Sequence, residues 1–143
     1  MITTKEKIEQ TLKILGIEPV DAWQEEDQWF LLENNGQYVI VREKEASIEN
    51  SNDKVSTVNI FAPVITIPET MPLDFYKEIF AISNDIADGT SLQIENNKTL
   101  IMSIYILNEF YTADFGIQCI NNIIFWAKKL KPNLEWKYKD SLF

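Results

Sequence analysis

The chain has 143 residues, with 22 acidic against 13 basic side chains, a formal net charge of -9 and a pI near 4.5. A surface of that sign repels phosphate backbones and anionic lipid heads, so neither a nucleic acid nor a membrane is expected as partner, while a basic protein segment is steered toward it. With no histidine and one cysteine, Cys119, the inventory offers no Ser-His-Asp or Cys-His grouping, no internal disulfide and no ordinary zinc site.

In chain order, Thr3 followed by Glu6 predicts a capping box, in which each side chain satisfies a backbone N–H of the other residue. Ile8, Leu12 and Leu15 then share one helical face, and Gly16 is a left-handed stop, giving a first helix over 4–15. Val20 to Gln24 alternates in polarity and is expected to be a short strand, followed by the acidic turn Glu25-Glu26-Asp27. Gln28 to Glu33 reads as a strand and Tyr38 to Val41 as its return, with Asn34-Asn35-Gly36 as the hairpin turn because Asn and Gly tolerate positive φ. The polar run from Glu43 to Asp53 is expected to be a loop.

Val55 to Ile67 is a long β-branched run. Pro63 cannot donate a ladder hydrogen bond and marks a bulge or an edge, and Pro68 ends the strand. Pro72 sits where a first-turn proline belongs, and Leu73, Tyr76, Ile79, Phe80 and Ala87 set out one face of a second helix over 72–87, closed by Asp88-Gly89. Ser91 to Glu95 alternates, Asn96-Asn97-Lys98 turns, and Leu100 to Leu107 is the next strand. Thr112 is the expected N-cap of a third helix carrying Phe115, Cys119, Asn122, Ile123, Trp126 and Leu130 at helical spacing, with Trp126 a core residue. Pro132 is expected to stop it. The tail 132–143 follows, and its segment Leu134 to Tyr138 alternates like a strand that either pairs with a sheet edge or packs its aromatics back on the body.

The sum is one α+β domain over 1–143: an antiparallel sheet of five or six strands with three helices, in the order α-β-β-β-α-β-β-α. The opening stretch lacks the continuous apolar region of a signal peptide, no apolar run reaches bilayer length, and one cysteine fits a reducing compartment, so a cytoplasmic location is expected. No glycine-rich phosphate loop and no EF-hand pattern is present, so no cofactor or metal is expected. Cys119, on an apolar helix face, reads as a packing residue.

What remains is protein binding. Trp23 and Trp29 flank the acidic turn, and Trp beside acids suits a protein-binding surface, although core filling is the commoner role of Trp. Ile117, Ile120 and Ile124 put apolar surface on more than one side of the third helix, more than a single buried face requires. Trp136 in the tail completes the candidate set.

The order of elements resembles the type III secretion chaperone fold, including the YbjN-like proteins that share it. The run EIFAISNDIADGTSLQIENNKTLIMSIYIL looks like that family's second helix and following hairpin, and Phe115 to Leu130, ending in FWAKKL, looks like its last helix, with Trp126 at the aromatic position. The resemblance implies a non-catalytic, chaperone-like homodimer that holds an extended segment of a partner protein. A regulatory or immunity-type protein that caps a folded partner is the alternative of a different class.

Overall fold

The computed structural model describes residues 2–47, 50, 52–68, 70–86, 90–96 and 98–138. The elements are α1 (Thr4–Ile14), α2 (Pro19–Ala22), β1 (Trp23–Gln24), β2 (Trp29–Asn34), β3 (Gln37–Ser47), β4 (Lys54–Thr66), α3 (Leu73–Asp85), β5 (Ser91–Glu95), β6 (Thr99–Leu107) and α4 (Ala113–Lys137), with a single 3-10 turn over Asn108–Phe110 before α4. Among the described residues the strands form one antiparallel sheet of six, in the order β1-β2-β3-β4-β6-β5. The expected α+β class and sheet are therefore present.

The first helix forms for the reasons read from its ends. Thr3 Oγ1 accepts the Glu6 N–H at 3.1 Å. At the other end Gly16 has φ +81°, and the N–H groups of Gly16 and Ile17 return to the carbonyls of Lys13 and Leu12, the paired bonds of a Schellman stop. Asn35 (φ 49°) and Gly36 (φ 87°) make the β2–β3 turn in the left-handed region that a tight hairpin demands. Pro63 sits at a β-bulge, where β4 and β6 pair Pro63 with Ile101 and then Ile65 with Leu100.

Four local expectations are corrected. Val20 is not in a strand: Pro19 supplies the fixed φ of a first helical residue, so Pro19–Ala22 is a helical turn and only Trp23–Gln24 pairs. The polar loop is shorter than 43–53, because β3 runs on to Ser47 and β4 starts at Lys54. Those residues form a two-stranded ribbon wet on both sides, so its charges are no bar to pairing: Lys54 meets Glu45 at 3.8 Å and Ser56 Oγ donates to Glu43 at 3.2 Å. Residues 48, 49 and 51 of that run, the expected helix closure at Asp88-Gly89, and Ala87 and Asn97 lie outside the described residues.

The other two corrections concern helices. On α3 the buried residues are Phe75 and Ile79, continued by Ile86 just beyond it, while Leu73 (67% exposed), Tyr76 and Phe80 (70% exposed) face water. Both stripes are at helical spacing, and the one carrying Phe75 and Ile79 is buried because it meets the body of the fold, where the Phe75 ring packs edge-on against Tyr138 at 5.1 Å; Pro72 caps the helix rather than entering it. The third long helix does not stop at Pro132. It continues to Lys137, so Trp136 is on a helix and not on a strand. Proline inside a helix removes one hydrogen bond and costs roughly 3 kcal/mol. Two things on the far side offset it: Leu134 is fully buried, and Glu78 of α3 accepts hydrogen bonds from Lys137 Nζ at 2.7 Å and Tyr138 Oη at 2.6 Å.

One face of the sheet carries Phe30, Leu32, Val39, Val41, Val58, Ile60, Ala62, Leu100, Met102 and Ile104, all in the core with Ile8 and Leu12 of α1 and Cys119, Ile120, Ile123, Ala127 and Leu130 of α4. Trp126 packs against this core but remains half-buried, so its truncation costs less than a full core aromatic would. The N-terminal end of α4 is set by Tyr111, whose buried hydroxyl shares a 2.6 Å hydrogen bond with Thr11 of α1. Gly116 leaves room for that phenol: a Cβ there would collide with it.

Gly116→Ala is therefore expected to destabilise the fold. Overpacking costs about 1–3 kcal/mol, against about 1 kcal/mol gained in helix propensity. A lower urea midpoint checks this; a higher midpoint would show that Tyr111 can move aside at no cost.

The α3–α4 joint should be sensitive to pH at both extremes. Burial raises the Glu78 carboxyl, but the hydrogen bonds from Lys137 and Tyr138 outweigh it and hold the group below the ordinary carboxylate value. Tyr138 is pushed up to about 12 by burial and by its bond to Glu78. A lowered carboxylate stabilises above its unfolded value and loses that contribution as pH falls through the folded one. A raised phenol stabilises fully below its unfolded value and loses it as pH rises toward about 12. Acidification should reduce the hydrogen-exchange protection of α3 in the wild type more than in Glu78→Gln, and a tyrosinate absorbance titration should show one late phase missing from Tyr138→Phe. Identical acid responses in wild type and Glu78→Gln would remove Glu78 from the joint.

Candidate protein-binding surface

The sheet ends at β1, which is two residues long and pairs only with Trp29 and Phe30. Beyond them the outer edge of β2, Leu31–Asn34, has no neighbouring strand, and none of the turn and loop backbone hydrogen bonds among the described residues falls on it. A row of unpaired N–H and C=O groups can accept one more strand. Directly beside this edge lies a cleft of about 100 Å³ lined by Leu15, Ile17, Leu32, Val39, Ile120 and Ile124, with Glu33 and Asn34 at its mouth. Strand edge and apolar cleft are thus side by side. The Schellman stop positions Leu15 and Ile17, the β2–β3 hairpin positions Leu32 and Val39, and α4 supplies the opposite wall.

The sequence-derived candidates do not form one surface. Trp23 and Phe30 are direct cross-strand partners with ring centres 4.8 Å apart, on the helix side of the sheet. Trp23 is half-buried there, its Nε1 donates to Glu25 at 2.6 Å, and Lys5 Nζ sits 3.9 Å above its ring. Trp29, one residue from Phe30, points to the other side, where its ring meets Phe61 edge-on at 5.9 Å. Ile120 is a core residue (2% exposed) in the wall of the cleft, so the expectation that it adds surplus surface is corrected: four residues from buried Gly116 and three from buried Ile123, it stands on the buried face of the helix. Ile117 and Ile124 are half-buried, and Ile124 lines the cleft. Trp136 (75% exposed) lies elsewhere, on the C-terminal turns of α4. The surplus apolar stripe is on α3, in Leu73, Tyr76 and Phe80, at i, i+3 and i+7. Leu15, Ile17 and Leu32 were readable as apolar, but nothing local marks them as the wall of a cleft.

The face of the sheet away from α1 and α4 is held by a polar network. Asn59, almost fully buried, donates from Nδ2 to Ser103 Oγ at 2.9 Å and to the Ile104 carbonyl at 3.0 Å, and its Oδ1 accepts from Arg42 Nε at 3.0 Å. Arg42 lies over the Phe61 ring, 4.8 Å from its centre, and reaches Glu95 at 3.6 Å from a strand three positions away in the sheet. The Arg42–Glu95 pair therefore straps this face and keeps Phe61 buried without a helix above it.

Among solved structures, a chain of the heterodimeric complex ExoU-SpcU from the type III secretion system of Pseudomonas aeruginosa resembles this one, with a TM-score of 0.59 and 12% identity over 87% of this chain and 95% of that chain. No family model matches the chain, and no curated protein matches it. At 12% identity the likeness speaks to the fold, which is the type III secretion chaperone-like fold that the order of elements resembles. No helix among the described residues is long and apolar enough to cross a membrane.

Removing the strap is expected to cost stability. Arg42→Met leaves the buried Asn59 Oδ1 without its donor, a loss of about 1–3 kcal/mol. Urea unfolding measures it, and a change within about 0.5 kcal/mol, typical of surface positions, would mean that water replaces the guanidinium freely.

Proposed function

We propose that this protein is a non-catalytic, chaperone-like binding module that holds an extended segment of a partner protein along the outer edge of β2. The observation that carries the reading is the open edge Leu31–Asn34 beside the cleft of Leu15, Ile17, Ile120 and Ile124. A segment added as a strand receives main-chain hydrogen bonds from the edge, and one apolar side chain of it enters the cleft. The net charge of -9 favours a segment carrying basic residues. The fold likeness to a chain of a heterodimeric secretion-system complex supports the same reading.

The functional unit in this proposal is a homodimer. Leu73, Tyr76 and Phe80 form an exposed apolar stripe on α3, and a two-fold contact through it buries the same residues on both copies. Light scattering at micromolar concentration is expected to give about twice the 16.6 kDa chain mass, and Phe80→Glu to halve it. A strictly monomeric wild type would remove the dimer.

The segment-binding site is tested separately. A photo-crosslinking amino acid in place of Asn34, which shares the cleft side of β2 with Leu32, used in the native host and read by mass spectrometry, is expected to capture one partner segment, and Ile124→Glu to abolish the capture while the chain stays folded by circular dichroism. Capture unchanged by Ile124→Glu, or obtained only from Tyr105 on the opposite sheet face, would overturn the site.

A further inference from the structure

The C-terminal half of α4 differs in sign from the rest of the molecule. Lys128, Lys129, Lys131 and Lys137 fall within ten residues, against one acid, Glu135, in a chain whose acids outnumber its bases 22 to 13. Lys137 is taken by Glu78 at 2.7 Å. Lys128, Lys129 and Lys131 are in no ion pair among the described residues; Lys128 donates to Asn34 Oδ1 at 2.9 Å. Phe125, Lys129, Pro132 and Trp136 follow at i, i+4, i+7 and i+11, which puts them on one outward stripe. Phe125 is 58% exposed and Trp136 is the most exposed of the large apolar side chains described on this helix. Between them Lys129 Nζ lies over the rings of Phe125 and Trp126, at 5.8 and 5.3 Å from their centres, so the charge is held on an aromatic platform. At physiological salt, charges are screened beyond about 8 Å, so this local excess, not the distant acids, sets the field at the stripe.

We propose that this stripe is a second docking surface, for an acidic segment of a protein partner that carries apolar residues at both ends of a run of carboxylates. Phe125 and Trp136 are eleven residues apart, about 16 Å along a helix, the length of about five extended residues. Carboxylates in such a run meet Lys129 between the aromatics, with Lys131 off the stripe adding to the field, and the flanking apolar residues meet Phe125 and Trp136. A lipid surface fits less well. A helix lying in a bilayer interface offers it a continuous apolar face, whereas the continuous apolar face of α4, Ile120, Ile123, Ala127, Leu130 and Leu134, is in the core. The aromatic stripe does not line the cleft at the β2 edge, although Lys128 beside it bonds Asn34 there, and its partner has the opposite charge preference.

The test uses the full chain and a synthetic acetylated and amidated peptide of alternating Glu and Asp flanked by Leu at each end, with the same peptide bearing Lys in place of the acids as control. Indole N–H signals in nitrogen-15 NMR report binding. A saturable shift of Trp136 and Trp126, weakened about tenfold by Lys129→Ala with Lys131→Ala, weakened by Trp136→Ala and by added salt, and absent with the Lys peptide, is the expected result. All three substituted side chains are on the outer surface, so circular dichroism should show an unchanged fold. No saturable shift at millimolar peptide, equal affinity in the double variant, or binding to phosphatidylglycerol vesicles without binding to the peptide would each overturn the proposal.

Discussion

Water must be kept off one face of a six-stranded sheet, and α4 is what mostly does it. Five strand spacings make the sheet about 24 Å wide, whereas twenty-five helical residues run about 37 Å. The helix therefore crosses β3, β4 and β6 and has turns to spare. Its first turn is fixed against Tyr111 through Gly116, and its last turn meets α3 at Glu78. Because one element covers so much, α1 has only the β3 side to complete, and α3 is left beside β5 with one apolar stripe still in water. The open edge of β2 arises in the same way: the chain spends its short connection from α1 on a helical turn, so only two residues remain to pair as β1.

The parts of this arrangement that were legible in the sequence are those decided locally. Thr3, Gly16, Asn35-Gly36, Pro63 and Thr112 each impose a backbone geometry by their own chemistry, and each marks the cap, stop, turn or bulge that it was read to mark; of the expected capping box, the bond from the Glu6 N–H to Thr3 Oγ1 is present. The strands were legible too, from the apolar and β-branched runs of β2, β3, β4 and β6 and from the alternation of β5. The errors share a cause. Pro132 carries a local rule against helix, and it is overridden by Leu134, Lys137 and Tyr138 acting through residues more than fifty positions away. Leu73, Tyr76 and Phe80 are at helical spacing, but so are Phe75 and Ile79, and only the docking partner decides which stripe is buried.

The candidate site was less legible than the fold for the same reason. Of the residues singled out, Ile124 lines the cleft, Trp23 and Trp29 lie on opposite faces of the sheet, and Ile120 is core. A cleft made by the end of α1, the hairpin of β2 and β3 and the middle of α4 has no sequence motif, because its walls come from segments more than a hundred residues apart. Aromatic content alone does not report direction, and in a strand adjacent positions point oppositely.

The bond between Thr11 and Tyr111 spans one hundred positions of chain. During synthesis, α1 leaves the ribosome early but has nothing to dock on until Tyr111 and the first turns of α4 follow. β4 likewise waits for β6, with Asn59 opposite Tyr105. At about 5–20 residues per second the sheet's apolar face is therefore uncovered for several seconds in each nascent chain. Pairing between segments this far apart in the chain makes folding slow. A chain interrupted before α4 presents Val39, Val58 and Ile60 to the cell as an unprotected surface, so quality control of this fold rests on whether α4 is made.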